Sequence, residues 1–186
     1  MSQIVLQLFM ITLSSVLFLL LLQVNNWLFN HFEWIVGVSW VYLPAGARLL
    51  CVLLFRTPGA IGIGIGSWLA GTYYFNYDDA VYTLVVSFLS AFSPYIVYLA
   101  LNNRHNLQAS LANLTPKLLL QCCFLFGITS ACLHHVWFVF YNHADTSWQS
   151  LLVMATGDFI GAILLLYFVK ILLAMIRKVV ISSKYS

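Results

Sequence analysis

Two ionisable residues, Arg48 and Asp158, stand inside the apolar runs LPAGARLLCVLLF and MATGDFIGAILLLYF of a chain in which only 7% of residues are charged. A charge held in hydrocarbon costs at least about 2.5 to 3.5 kcal/mol, so such a residue pairs, faces a polar cavity or handles an ion. Pairing Arg48 with Asp158 satisfies both, and we expect them to form an ion pair or to share a ligand. Two readings follow: a clasp that only locks helices together, and a site in which Arg48 takes an anion, Asp158 takes a cation or proton, or the pair breaks as a switch.

A second group of residues gathers toward the other polar clusters. His134 and His135 are adjacent, with His31, Asp78, Asp79, His143 and Asp145 in loops or near helix ends. Adjacent helical positions point about 100° apart, which places His134 and His135 poorly for one metal, and neither a metal nor any other cofactor is expected. Interfacial solvation, proton sensing and contact with a ligand are the readings left for the histidines. Motifs for acyl transfer, zinc-assisted hydrolysis or phosphate binding are missing, so the chain reads as a non-enzyme. Gly62-x-Gly64-x-Gly66 lacks the spacing and the strand of a dinucleotide fingerprint.

Holding a charge pair in this setting is work for membrane helices. Of the 186 residues 62% are hydrophobic, and the mean hydropathy is +0.94, outside the soluble range. The polar clusters cut the chain into an all-α bundle of about six transmembrane helices, at about 4–24, 34–55, 59–75, 80–101, 118–141 and 148–176. They form a single integral membrane domain, 1–186. The first segment has no Lys or Arg ahead of it and too long an apolar run for a signal peptide, so it reads as a retained helix. Cys51, Cys122, Cys123 and Cys132 fall in helices without ligand spacing and read as small buried hydrophobes.

With the N-terminus inside, Arg56, Arg104, Lys117, Arg177, Lys178 and Lys184 fall on one side, while Glu33, Asp78, Asp79 and Asp145 fall on the other. The Lys/Arg bias sets the cytoplasmic side, so both termini are expected there, in a bacterial inner membrane. The net charge of +3 then answers anionic headgroups rather than nucleic acid. All six tryptophans fall in the outer half, which predicts either a one-sided belt or an aromatic outer cavity lined by Trp40, Trp68, Tyr74, His134, His135 and Trp137.

Local breaks refine the helices. Pro44, followed by Gly46, interrupts the second helix just before Arg48 and implies either a midplane cavity or a kink. Thr57-Pro58 and Thr115-Pro116 pair a capping hydroxyl with a first-turn proline. Residues 104–116 read as a loop or short interfacial helix, and the Asn113 sequon as cytoplasmic and unglycosylated. Gly62 with Gly66, and Gly157 with Gly161, carry the G-x-x-x-G spacing of close helix packing.

Residues 43–71 and 155–173 resemble the membrane-associated sensor (MASE) domains that precede bacterial signalling modules. The matching positions are Pro44, Gly46, Pro58, Gly59, Gly62, Gly66, Gly157, Asp158 and Gly161. The chain departs from that pattern in its shortness and in having no output domain after the last helix. The resemblance implies a non-enzymatic sensor or ligand-binding subunit that works through a membrane or signalling protein partner, with a small-molecule ligand from the outer side. Six helices in so short a chain are also similar to the substrate-binding components of energy-coupling-factor vitamin transporters, although residues 4–24 offer only Ser14-Ser15 as a small-residue docking face. An accessory subunit of a larger membrane complex is the third reading.

Overall fold

The computed structural model describes residues 2–105, 115–141 and 147–184. Six α-helices follow one another: α1 Gln3–Phe29, α2 Leu43–Phe55, α3 Thr57–Tyr73, α4 Ala80–His105, α5 Pro116–Phe140 and α6 Trp148–Lys184. Four of them, α1, α4, α5 and α6, are long and apolar enough to cross a bilayer. The protein is therefore an all-helical membrane protein.

The architecture is organised around its shortest helix. Ten of the 13 residues of α2 are buried, and α1, α3, α4 and α6 all pack on it. A helix apolar on every side belongs inside a bundle. At 1.5 Å per residue α2 is about 20 Å long, some two-thirds of a hydrocarbon core of about 30 Å. Ahead of it lie residues 33–42, a short antiparallel hairpin (β1 Glu33–Ile35, β2 Val38–Ser39) and three residues leading to α2. Gly37 turns the hairpin at a positive φ of 81°, a conformation open to glycine. We call residues 33–42 the strap.

This corrects the expectation of a single second helix over 34–55. Residues 33–39, Glu-Trp-Ile-Val-Gly-Val-Ser, set three β-branched residues and a tryptophan around a turn glycine, which favours a hairpin, and Pro44 lies in the first turn of α2 rather than in a helix interior. It neither interrupts nor kinks a helix; it starts one, where its missing N–H costs nothing. Thr57 also departs from expectation. It makes no cap, since α3 begins at Thr57 itself, and its hydroxyl instead meets the Tyr95 hydroxyl at 3.1 Å. Thr115 does cap α5, accepting the Leu118 N–H at 3.2 Å. The sequon residues Asn113 and Leu114 lie outside the described residues.

Non-helical backbone inside a membrane bundle must have its polar groups satisfied by protein. That demand is met where the strap joins α2: Tyr42 N–H, at the end of the strap, donates to the Gly157 carbonyl at 3.2 Å, and Leu43 N–H, at the start of α2, donates to the Asn25 side-chain oxygen at 2.8 Å. Asn25 is buried on α1, a polar residue whose place in an apolar helix this bond explains.

Candidate functional site

Arg48 sits in the second turn of α2, below the strap, and is 2% exposed. Its Nη2 lies 2.8 Å from Asp158 Oδ2 on α6 and 2.7 Å from Ser130 Oγ on α5. Nη1 reaches Ser90 Oγ on α4 at 3.4 Å. The guanidinium also stands 5.2 Å from the Phe126 ring centroid and 5.9 Å from that of Tyr42, within range of cation–π attraction. One arginine thus ties three other helices to α2.

His134 extends the network. Its Nδ1 lies 2.9 Å from the Ser130 carbonyl oxygen, so in the neutral ring Nδ1 carries the proton and Nε2 is an acceptor. Ser90 Oγ stands 3.5 Å from that Nε2, and a hydroxyl that accepts from Arg48 can donate onward to it. The chain Asp158, Arg48, Ser90, His134 alternates donors and acceptors in that order. One nitrogen of the guanidinium is left over: Arg48 Nε is buried without a partner.

A small chamber of about 40 Å³ touches this core, lined among others by Tyr42, Arg48, Ser87, Ser90 and His134. It has room for about three waters by the usual minimum of 10–15 Å³ each. Above it lies a larger cavity of about 320 Å³ whose lining includes Asn25, Asn26, Glu33, Tyr42, Tyr74 and Phe75. Val36, Gly37, Tyr42 and Phe75 line both. The strap is the partition between them, and Tyr42 is the ring that faces an outer cavity and an inner cation at once.

Glu33 supplies the outer cavity's charge. Its Oε1 accepts the Gly37 N–H at 3.0 Å across the hairpin turn. The Tyr74 phenol has its pKa pushed up, first by burial and then by the Glu33 carboxylate, so near neutral pH it remains a protonated donor. Tyr77, beside the turn, is pushed up mainly by burial.

Of the residues singled out for an outer cavity, Tyr74 lines the larger one and His134 the smaller. Trp40, Trp68, His135 and Trp137 line neither. Trp40 and Trp68 are exposed, as are Trp27, Trp34 and Trp148, so these five suit a belt better than a cavity wall. His135 stacks on Trp148 and Trp137 leans on Tyr141. The aromatic wall comes instead from Phe29, Tyr42, Tyr74 and Phe75. Asp79 is tied to the Tyr141 hydroxyl, while His143 and Asp145 lie outside the described residues. Cys51, Cys122 and Cys123 are buried but Cys132 is exposed. Among the described residues no group of three metal-ligating side chains converges.

The glycine pairs serve different neighbours. A Cβ on Gly157 would overlap the Ser39 carbonyl, and one on Gly161 the Tyr42 carbonyl, so these two admit the strap. Gly46 packs against the Gly161 carbonyl and Leu165. Gly62 and Gly66 face α1 instead, at Ile11, Ser14, Ser15 and Phe18.

The strap, the serines and Asn25 are parts of the candidate site that a reading based on charge passes over. A signal for the serines existed: Thr83, Ser87, Ser90 and Ser93 recur at helical spacing on α4, and all are buried. No family model, curated protein or solved structure matches this chain.

Proposed function

We propose that the protein is a non-enzymatic membrane sensor, in which a small molecule entering from the strap end is read by the Arg48–Asp158 pair and relayed along α6 to a partner. The observation that carries this reading is the path itself: an outer cavity and the Arg48 chamber share the strap and Tyr42 as their wall, and the anion of the pair stands on the longest helix. With 37 residues, α6 is about 55 Å long, well beyond the bilayer core. A shift at Asp158 therefore has a rigid lever leading out of the bundle.

Orientation belongs to the same proposal. Arg56, Arg104 and Lys117 stand at the bundle end opposite the strap, and the Lys/Arg rule makes that end cytoplasmic. The chain then crosses with both termini in the cytoplasm, α2 with its strap and α3 forming the remaining passages, and the cavity opens outward. An inner bacterial membrane and a signalling partner on the cytoplasmic side complete the reading.

The sensor reading is preferred to a transporter component on one observation. The small residues of α1 that would dock an energising module are spent inside the fold: Ser15 Oγ donates to the Gly62 carbonyl at 2.6 Å, and Gly62 seats against Ser14.

The test is a thermal-stability screen of the full chain in nanodiscs against amines, vitamins, aromatic metabolites and metal ions, repeated on Asn26→Trp, which fills the outer cavity from its rim. At least one compound should raise the Tm of the wild type and do so less in the variant. No stabilisation by any compound, or copurification of the native protein with an ATPase-driven module or a large stoichiometric assembly, contradicts the sensor reading.

A further inference from the structure

We propose that the outer cavity binds an alkylammonium group, either of a free amine or of a lipid headgroup. This deepens the sensor reading and rests on it. Among the described residues Glu33 is the only charged residue in the lining, and no Lys, Arg or His lines it. A carboxylate ligand would meet like charge there, and a multivalent metal would find a single acid, far short of its usual oxygen shell. A monovalent cation fits.

The remaining wall favours an organic cation over a bare ion. Phe29, Tyr42, Tyr74 and Phe75 present π faces or edges, with Tyr74 and Phe75 packed edge to face at 4.9 Å. Aromatic rings around one anionic group are the arrangement that attracts ammonium groups. Asn26 adds an amide oxygen for N–H donors or hydroxyls, while the Asn25 oxygen is held by Leu43 N–H. Glu33 Oε1 is held by the Gly37 N–H, which leaves Oε2 to the ligand.

Size and place limit the ligand further. A cavity of about 320 Å³ is at the lower end for small-molecule sites, so it takes a headgroup-sized cation. Trp27, Trp34 and Trp40, each next in sequence to a lining residue, are exposed and belong at headgroup depth. Both a soluble amine and an ethanolamine or choline lipid reach such a mouth. Binding would be felt at Arg48, because Tyr42 lies between the incoming cation and the guanidinium.

The experiment compares choline with its uncharged isostere 3,3-dimethyl-1-butanol on the full-length protein in phosphatidylglycerol nanodiscs, with thermal unfolding as the readout. Glu33→Gln is the key variant, since the amide oxygen still accepts the Gly37 N–H while the charge is gone; Tyr74→Leu tests the ring. Choline should raise Tm in the wild type, the isostere should not, and Glu33→Gln should weaken apparent affinity about tenfold. A parallel arm adds phosphatidylethanolamine or phosphatidylcholine to the discs. Stabilisation there that needs Glu33 supports a lipid headgroup, and stabilisation by choline alone supports a free amine. Equal shifts from choline and the isostere, no effect of Glu33→Gln on a choline shift, or no shift from any ammonium source overturns the assignment. If a neutral or anionic compound stabilises instead, the ammonium class falls and the sensor reading stands.

Discussion

Two pairs of glycines with the same four-residue spacing meet different partners in this fold. Gly62 and Gly66 on α3 seat against a neighbouring transmembrane helix, where a Cβ added to Gly66 would stand 3.2 Å from Ser15 and Phe18 and only one added to Gly62 would overlap its neighbour, at the Ile11 carbonyl. Gly157 and Gly161 on α6 seat against the carbonyls of Ser39 and Tyr42, which belong to non-helical backbone, and Gly157 also accepts a hydrogen bond from Tyr42 N–H. One pair brings helices together; the other holds open a place for the strap, and Asp158 lies within it. A helix seam can slide by a few tenths of an ångström, whereas the strap is fixed by hydrogen bonds on both sides.

Substitutions should separate the two seams by size of effect. Gly157→Ala and Gly161→Ala should cost about 4 kcal/mol or more, the range of severe backbone clashes, seen as loss of monodisperse protein on size-exclusion chromatography. If either variant folds like wild type, the strap does not bear on α6 as described. Asp158→Ala comes next at roughly 3 to 5 kcal/mol, because it strands the buried Arg48 charge, while Arg48→Met with Asp158→Leu together should recover most of that loss. Thermal unfolding of the three proteins measures it, and equal stability of the single and double variants would deny the pairing.

Smaller effects test the anchoring of the strap. Asn25→Ala removes the acceptor for Leu43 N–H and should cost about 1 to 3 kcal/mol, with faster amide exchange at residues 40–43 as its signature. Unchanged exchange there would mean the bond is dispensable. At the helix seam, Gly62→Ala should cost about 1 to 3 kcal/mol by overpacking, and Gly66→Ala less than Gly62→Ala. Denaturation midpoints in mild detergent order them, and a Gly66 loss as large as that at Gly161 would erase the contrast between the seams.

Much of this arrangement is legible in the sequence, for identifiable reasons. Membrane helices announce themselves by length and apolarity, and Arg48 and Asp158 stand out because charge is rare in such runs. Glycine spacing is also visible, but it is silent about the partner: nothing in G-x-x-x-G distinguishes a helix from a strap. Residues 34–42 merged with α2 because their apolar content continues that of the helix, and a short apolar run carries no period long enough to decide between helix and strand; Gly37 among the β-branched residues was the local sign of a turn. The position of Pro44 was the clue, since a proline is at home in the first turn of a helix and costly in its interior. Tryptophans left two readings open, a belt or a cavity wall, because an amphipathic ring serves either, and the exposure of five of the six favours the belt. Serines escaped notice because one hydroxyl is tolerated almost anywhere in a membrane helix, and only their shared face on α4 marks them.

The central claim is that the Arg48–Asp158 pair transmits occupancy of the outer cavity to α6. Amide exchange along α6, followed with and without saturating choline in the wild type and in the Arg48→Met, Asp158→Leu double variant, tests it most directly. The account predicts that choline alters exchange around and beyond residue 158 in the wild type, and that the double variant still binds choline but loses this response. An α6 response of equal size in both proteins, or none in the wild type despite bound choline, would contradict it.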